Sequence, residues 1–456
     1  MSKHKISKLV IILITGALLQ SCFVAKNYES PEVKTDNLYK TEQTLDSTSL
    51  ASVSWDNLFT DPILQDYIRE GLADNYDMKI ALQNLIAAEA NMKQAKLGHL
   101  PSVSINGYWD YEKYRRSNDY NEYELAGKLS WEADIWGKIR SGKRGSIAAY
   151  LQTVSGKQVV QTEIVANIAS TYYQLLALDA QVKVAEETLI NREKGEETIK
   201  ALKTSGIVNE VSVKQAEAQR YVTQIILMDL KYKVNVVENS FSILLGKAPK
   251  AIPRDVFENQ KITADIKLGI PALLLSRRPD VVSAELNFRN SFELTNVARS
   301  NFYPSLTVSA AGGLNSLDLK EWFNANSLFT TILTKLTQPV FNQRSIKTNF
   351  EIAKANQQKA YLQFEKSLIV AGKEVSDALA DYDNETEKLI IRKNKLDALK
   401  IAADYSNELL QYGMINYLDV LTANDDALST ELELINNKYN QMNAVINLYK
   451  ALGGGY

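Results

Sequence analysis

The 456-residue sequence has one cysteine, Cys22, and two histidines, His4 and His99. A single cysteine forms no internal disulfide, and so few imidazoles leave no Cys/His cluster for zinc or redox chemistry. Charge of one sign is missing too. Lys and Arg number 52 against 54 Asp and Glu, interleaved along the chain, so no polybasic face points to nucleic acid. After Cys22 no apolar run approaches the roughly 20 residues of a membrane-spanning helix, and a chain of this kind crosses a membrane only with strands. Catalytic constellations are lacking as well. His99 has no Asp, Ser or Cys partner at recognisable spacing and reads as a polar residue at a helix end. The pairs Glu196/Glu197 and Asp425/Asp426 fall inside helical patterns and read as solvated faces. With no nucleophile, base and oxyanion donors in one place, neither an enzyme nor a cofactor is expected.

Proline is scarce in an informative way. It is absent between Pro101 and Pro249 and again after Pro339, and only there are long uninterrupted helices permitted. In the first window Ile164, Ile168, Thr171, Leu175, Leu178, Val182, Ala185 and Leu189 follow at alternating steps of four and three. In the second, Tyr361, Phe364, Leu368, Ala371, Val375, Ala378 and Tyr382 do the same, and both runs have the period of a coiled-coil seam. The spacing predicts helices from about Lys138 to Leu202 and from about Ser345 to Leu410, each on the order of 100 Å long. They end at Gly206 and Gly413, residues able to take the left-handed conformation that closes a helix. Shorter helices return from about 210 to 245 and 417 to 452, and helices at 75–97 and 280–300 supply the missing length by stacking on them end to end.

The chain is read as a duplication. Asp77, Ala81, Asn84, Ala95, Pro101 and Ser102 meet Asp280, Ala284, Asn287, Ala298, Pro304 and Ser305 at a shift of 203 (304 minus 101). Gly206, Val213, Ala216, Leu245 and Gly246 meet Gly413, Val420, Ala423, Leu452 and Gly453 at 207 (413 minus 206). Each half carries two candidate strands, at about 102–111 and 121–132 and at about 305–314 and 328–338. Val103, Ile105, Gly107, Trp109 and Tyr111 alternate with polar residues, whereas 328–338 alternates poorly. A soluble hairpin on helices alternates similarly, but strands of about ten residues with aromatic ends and charged inner positions fit an outer-membrane barrel. Four strands cannot close one, since eight is the smallest common number, so several copies must share it. Gly137 to Arg144 imitates a phosphate loop until Arg144 stands where Ser or Thr is needed. A glycine-eased strand-to-helix corner is expected instead, with Lys138, Arg140, Lys143 and Arg144 near lipid phosphates or a lumen.

The N-terminus supplies an address. Lys3, Lys5 and Lys8 precede an apolar stretch from Leu9 to Leu19, the form of a secretory signal. Leu19-Gln20-Ser21-Cys22 resembles a bacterial lipoprotein processing site, at which the cysteine is acylated. The expected organisation is a signal peptide at 1–21, a lipidated tether at 22–54, a first repeat at 55–250, a linker at 251–271 and a second repeat at 272–456.

Leu275-Ser-Arg-Arg-Pro-Asp280, Ala298-Arg-Ser-Asn-Phe-Tyr-Pro-Ser305, Gln338-Pro-Val-Phe341, Glu374-Val-Ser-Asp-Ala-Leu379 and Leu448-Tyr-Lys-Ala-Leu-Gly-Gly-Gly455 occur in this order. With Ser130-Trp-Glu-Ala-Asp-Ile-Trp-Gly137 and Gln215-Ala-Glu-Ala-Gln219, the chain resembles the TolC-like outer-membrane efflux proteins, in the lipoprotein branch serving resistance-nodulation-division pumps. The resemblance implies a mainly α fold with a membrane β-barrel portion: a homotrimer with a barrel of twelve strands in outer-membrane lipid and a periplasmic tunnel of twelve helices. The linker, an N-terminal helix and the C-terminus would form its equatorial section. It further implies passive export of substrates received from a periplasmic adaptor and an inner-membrane transporter. In relatives acidic and Arg/Tyr residues at the periplasmic turns hold the tunnel closed. Here Asp419 matches an acidic gate position, Ser212 and Thr422 stand where Asp is frequent, and Leu409-Leu410 replace an Arg-Tyr pair. A gate held more by apolar constriction at Leu409, Leu410 and Val420 than by ion pairs is expected. Asp419 either forms an acidic ring that affects cation passage or caps the returning helix. The competing reading is a non-conducting periplasmic scaffold or adaptor lipoprotein.

Overall fold

The computed structural model describes residues 24–32, 54–113, 115, 119–260 and 278–454. Cys22, the signal segment and the linker beyond residue 260 lie outside them. Helices α1 (Pro62–Asp74) and α2 (Tyr76–Leu97) lead into strands β1 (Ser102–Glu112) and β2 (Tyr120–Ala133), then helices α3 (Lys138–Thr204) and α4 (Glu210–Leu244). The same series recurs as α5 (Pro279–Ser300), β3 (Ser305–Ser316), β4 (Leu328–Thr337), α6 (Ser345–Gln411) and α7 (Tyr417–Ala451). Matching elements agree in length: α3 and α6 have 67 residues each, α4 and α7 35 each. No described helix is long and apolar enough to cross a membrane. The chain forms two compact units, one of residues up to 32, 83–155 and 282–366, the other of 33–82, 156–281 and 367–456. Each unit draws on both repeats.

The first unit carries one antiparallel sheet in the order β1-β2-β3-β4, so β1 and β4 are its edges, each with no strand on its outer side among the described residues. Ser102 opposes Ser130 and Ser305 opposes Thr337; moving the first residue by 203 and the second by 207 turns one pair into the other. Directly opposed residues share a face, so the register assigns every side chain. Val103, Ile105 and Trp109 lie on one face with Trp131, Val308 and Leu314, and all but Val308 and Leu314 are exposed, Ile105 by 80%. On the other face the Tyr108 hydroxyl donates to Glu122 (3.1 Å), Asn315 donates to the same carboxylate (2.7 Å), and Lys128 pairs with Glu124 (3.0 Å). For β4, where alternation is ambiguous, the register places Leu328, Ile332 and Leu336 on the apolar face and Phe329, Leu333 and Lys335 on the polar one.

Aromatic rings stand at two levels of the apolar face. Trp109 stacks on Tyr123 at 6.4 Å, and Trp322 lies 5.7 Å from Tyr123. Eight residues further along β2 stands Trp131, whose indole donates to the His99 carbonyl. That is about 27 Å along the strand.

At the sheet-to-helix corner Gly137 has φ +75°. The Asp134 carboxylate accepts from the Ile139 and Arg140 amides (2.9 Å each) and so caps α3. Of the basic run, Lys143 is exposed, and the other three are paired with carboxylates. Lys138 pairs with Glu132 at 2.9 Å, Arg140 with Asp134 at 3.2 Å, and Arg144 forks onto the fully buried Glu293 at 2.6 and 2.8 Å. A buried carboxylate needs a cation beside it, and on α5 Glu293 finds one only across the corner.

In the second unit Leu178, Ala185 and Leu230 form the buried seam between α3 and α4, flanked by Val182, Ile226, Leu227, Val234 and Val237. The returning helices abut the short ones, as end-to-end stacking requires. The Asn75 side chain donates to the Leu244 carbonyl at 2.9 Å, and Arg278 donates to the Ala451 carbonyl at 2.7 Å. Gly246 and Gly453 close these helices at φ +67° and +96°. A Cβ on Gly246 would lie 2.4 Å from the Asp74 carbonyl oxygen, so the close approach demands glycine. The described start of the linker is held by Arg254, which donates to Asp179 (2.8 Å), Glu238 (2.6 Å) and the Ile252 carbonyl (2.8 Å). Nearby, Asp61 caps α1 at the Ile63 amide (2.8 Å) and accepts from the buried Tyr172 hydroxyl (2.7 Å).

Candidate functional site

Both long hairpins of the second unit reverse in the same way. The Gly206 amide donates to Lys203 and the Ile207 amide to Leu202; the Gly413 amide donates to Leu410 and the Met414 amide to Leu409. This is the paired closure that a left-handed C-terminal glycine permits, with φ +79° at Gly206 and +68° at Gly413. The return helices are capped by Asn209, which accepts from the Ser212 amide (3.2 Å), and by Asn416, which accepts from the Leu418 amide (3.2 Å).

The two tips share a core. Ile199, Val213, Ala216, Leu410, Tyr417, Val420 and Leu421 form one buried cluster, with Leu202, Val208 and Ile415 against it. Leu410 is 5% exposed because the α6 seam does not stop at Tyr382: it runs on through the buried Leu396 and Ala403 in steps of seven and ends at Leu410. Leu409 is 39% exposed and lies outside the cluster, among the exposed Ile207, Tyr412, Met414 and Leu418. The other expected gate residues separate similarly. Ser212 is buried in the first turn of α4. Thr422 is exposed and donates to the Leu418 carbonyl at 3.0 Å. Asp419 accepts from the Asn416 amide at 3.2 Å, completing a capping box at the start of α7. Leu410 and Ser212 are thus interior, whereas Leu409, Thr422 and Asp419 face outward.

Two turns behind the tips lies a set of charges that includes the pairs Glu196/Glu197 and Asp425/Asp426, which by sequence alone read as solvated faces. Glu197 and Asp426 are exposed, but Glu196 is 8% exposed and bonded to Lys200 (2.6 Å) and Arg220 (2.8 Å). Arg192 donates to Asp425 at 2.5 Å, joining α3 to α7. Hydrogen bonds from Lys200 and then Arg220 hold the Glu196 carboxyl below its usual range. Burial raises that of Asp425, against the opposing pull of Arg192. Burial also raises the Tyr417 phenol, with Arg192 again opposing. The signal was present: continuing the α3 seam beyond Leu189 by three, four and three residues reaches Arg192, Glu196 and Ile199. Charges at seam positions look for partners across the helix interface. A cleft of about 670 Å³ runs between the hairpins here, lined among others by Arg192, Ile199, Lys400, Leu410, Tyr417 and Glu431.

The family model of outer membrane efflux proteins matches residues 67–247 and 270–454, the two repeats. The cation efflux system protein CusC of Escherichia coli O6:H1 is 26% identical over 445 residues, 96% of this chain and 96% of that one. A probable outer membrane lipoprotein of Salmonella typhimurium, SilC, is 25% identical over 455 residues, 98% of each chain. A crystal structure of CusC superposes with a TM-score of 0.86 at 25% identity, covering 94% of this chain and 99% of that one. The chain belongs to the outer membrane efflux protein family.

Proposed function

We propose that three copies of the chain assemble into one outer-membrane channel, through which substrates leave the cell passively after delivery by a periplasmic adaptor and an inner-membrane resistance-nodulation-division transporter. The observation that carries this reading is the four-stranded sheet, with one apolar ring-edged face, one charged face and two unpaired edges. An exposed apolar sheet with open edges is a liability in water. In lipid, the open edges are removed by closure, and three such sheets supply the twelve strands of an ordinary outer-membrane barrel. The long helices of the three copies would continue the conduit into the periplasm. Cys22, following a signal removed at 1–21, would carry the lipid that anchors the chain.

The closed state would be held at the six helix reversals of the trimer. Its tip is a shared apolar core around Leu410 and Val420 backed by the Arg192–Asp425 and Glu196–Arg220 pairs. The ion pairs would give it a larger polar share than the apolar constriction expected from Leu409, Leu410 and Val420. A scaffold or adaptor lipoprotein would use the hairpins without needing the sheet. Reconstitution of the purified protein in planar bilayers separates the two readings: conducting trimers support a channel, and water-soluble monomers without conductance exclude it.

A further inference from the structure

The repeat fixes how one copy would meet the next. Within the chain, β2 of the first repeat pairs with β3 of the second, with Ser130 opposite Ser309, Lys128 opposite Ala311 and Ala126 opposite Gly313. The shift of 207 carries β2 onto β4, and the shift of 203 carries β1 onto β3; the β1–β2 and β3–β4 registers obey both. The one junction of this kind left open is β4 against a β1 that the same chain cannot supply.

We infer that β4 of one copy pairs antiparallel with β1 of the next in the register inherited from β2–β3: Thr337 opposite Asn106, Leu336 opposite Gly107, Lys335 opposite Tyr108 and Leu333 opposite Asp110. This rests on the three-copy reading and goes beyond it, because a shared barrel leaves the offset of its seams undetermined. The faces agree without adjustment. Tyr108 and Asp110 belong to the polar face with Glu122 and Glu124, and so do Lys335 and Thr337, while Gly107 and Leu336 belong to the apolar one. A slip of one residue would put apolar side chains on the charged face. Charges agree as well: Lys335 comes to the tyrosine whose hydroxyl already bonds Glu122 and Glu124. Continuing the same offset beyond Thr337 sets Val340 (98% exposed) against Val103 (73% exposed). The seam therefore covers the most exposed apolar side chain of the β4–α6 connection and lengthens β4 toward it.

Cysteine pairs test the register. Adjacent antiparallel pairs alternate between wide and close spacing, so either Thr337→Cys with Asn106→Cys or Leu336→Cys with Gly107→Cys puts sulfurs at bonding distance. Gly107 accepts a side chain, since a Cβ there meets only the Leu125 side chain at 3.6 Å and the Glu124 carbonyl at 3.8 Å. The full-length protein, oxidised in membranes and assayed by denaturing electrophoresis with peptide mass identification, should show inter-copy cross-links for one of these pairs. Pairs displaced by two residues, Thr337→Cys with Ser104→Cys or with Tyr108→Cys, should give at most a tenth as much. Native mass of the same preparations separates the outcomes. Cross-linking strongest at a displaced pair, or at none, in an intact trimer overturns the register alone; a monomeric mass for the wild-type protein overturns the three-copy reading and the register with it.

Discussion

Arg192 of α3 donates to Asp425 of α7 across 2.5 Å, with the arginine 11% and the aspartate 42% exposed. The pair interrupts a seam that the second repeat keeps apolar: Leu399 and Ala403 stand where α3 has Arg192 and Glu196 (each 207 later). Removing one partner of a buried pair is destabilising, whereas replacing both with apolar residues is often neutral or stabilising. Arg192→Leu is expected to weaken the tip by about 1–2 kcal/mol, discounted because Asp425 is partly solvated. Arg192→Leu with Asp425→Leu should recover or exceed wild-type protection. Hydrogen exchange of the 405–425 amides reads both, and a double variant as labile as the single one would show that the pair holds the tip by itself.

The titration of Asp425 gives the same tip a pH dependence. Burial raises its carboxyl above the ordinary value, so the folded tip binds this proton more tightly than the unfolded chain does. Its contribution is present below the ordinary aspartate range and is lost as pH rises through the raised value. Tip protection should therefore increase on acidification within that window. In Asp425→Asn this component should vanish, and an unchanged pH profile in the variant would assign it to another group.

Leu409 and Leu410 are neighbours with different work. Leu410 is buried in the shared cluster and Leu409 is exposed. Leu410→Ala should cost about 2–5 kcal/mol of tip stability through the cavity it leaves, and single-channel recordings should show more frequent or larger openings. Leu409→Ala should leave stability within about 0.5 kcal/mol. Equal effects of the two substitutions would contradict the seam.

Much of this was legible in residue order. The two windows without proline, Gly206 and Gly413, and the three-four spacing from Ile164 to Leu189 mark the long helices to within two residues of their observed ends. The sites were less legible. Asp425 reads as solvated because one charge on a helix does not reveal which other helix faces it. By sequence alone Arg144 reads as free for a phosphate or the lumen, because its partner Glu293 lies 149 positions away. That Leu410 is buried and Leu409 exposed becomes legible only when the α6 seam is followed beyond Tyr382 in steps of seven. The faces of β4 come from pairing with β3, and no property of 328–337 alone supplies them.

The four helix-closing glycines are not equivalent. Gly413 has positive φ but only the Ile207 side chain nearby, at 3.8 Å, whereas a Cβ on Gly246 meets the Asp74 carbonyl at 2.4 Å. Gly413→Ala should cost about 1–2 kcal/mol from the left-handed backbone alone. Gly246→Ala must also move the backbone at the α1–α2 junction and should cost more. The order of the two melting temperatures checks this, and a lower value for Gly413→Ala would reverse it.

Asp419 spends its carboxylate on the Asn416 amide. Asp419→Ala should cost about 1 kcal/mol of helix stability, and Asp419→Gln, which retains the capping acceptor, should restore most of it. The cation-to-anion permeability ratio should change by less than twofold in either variant. A larger shift in both would make this carboxylate part of the conduction path.

The central claim is that three copies make one conducting barrel, and planar-bilayer recording of the purified full-length protein, with its mass measured in the same detergent, tests it most directly. Trimers that insert and give discrete conductance steps, larger in Leu410→Ala than in wild type, are the predicted result. A water-soluble monomer that leaves the bilayer silent would contradict the account.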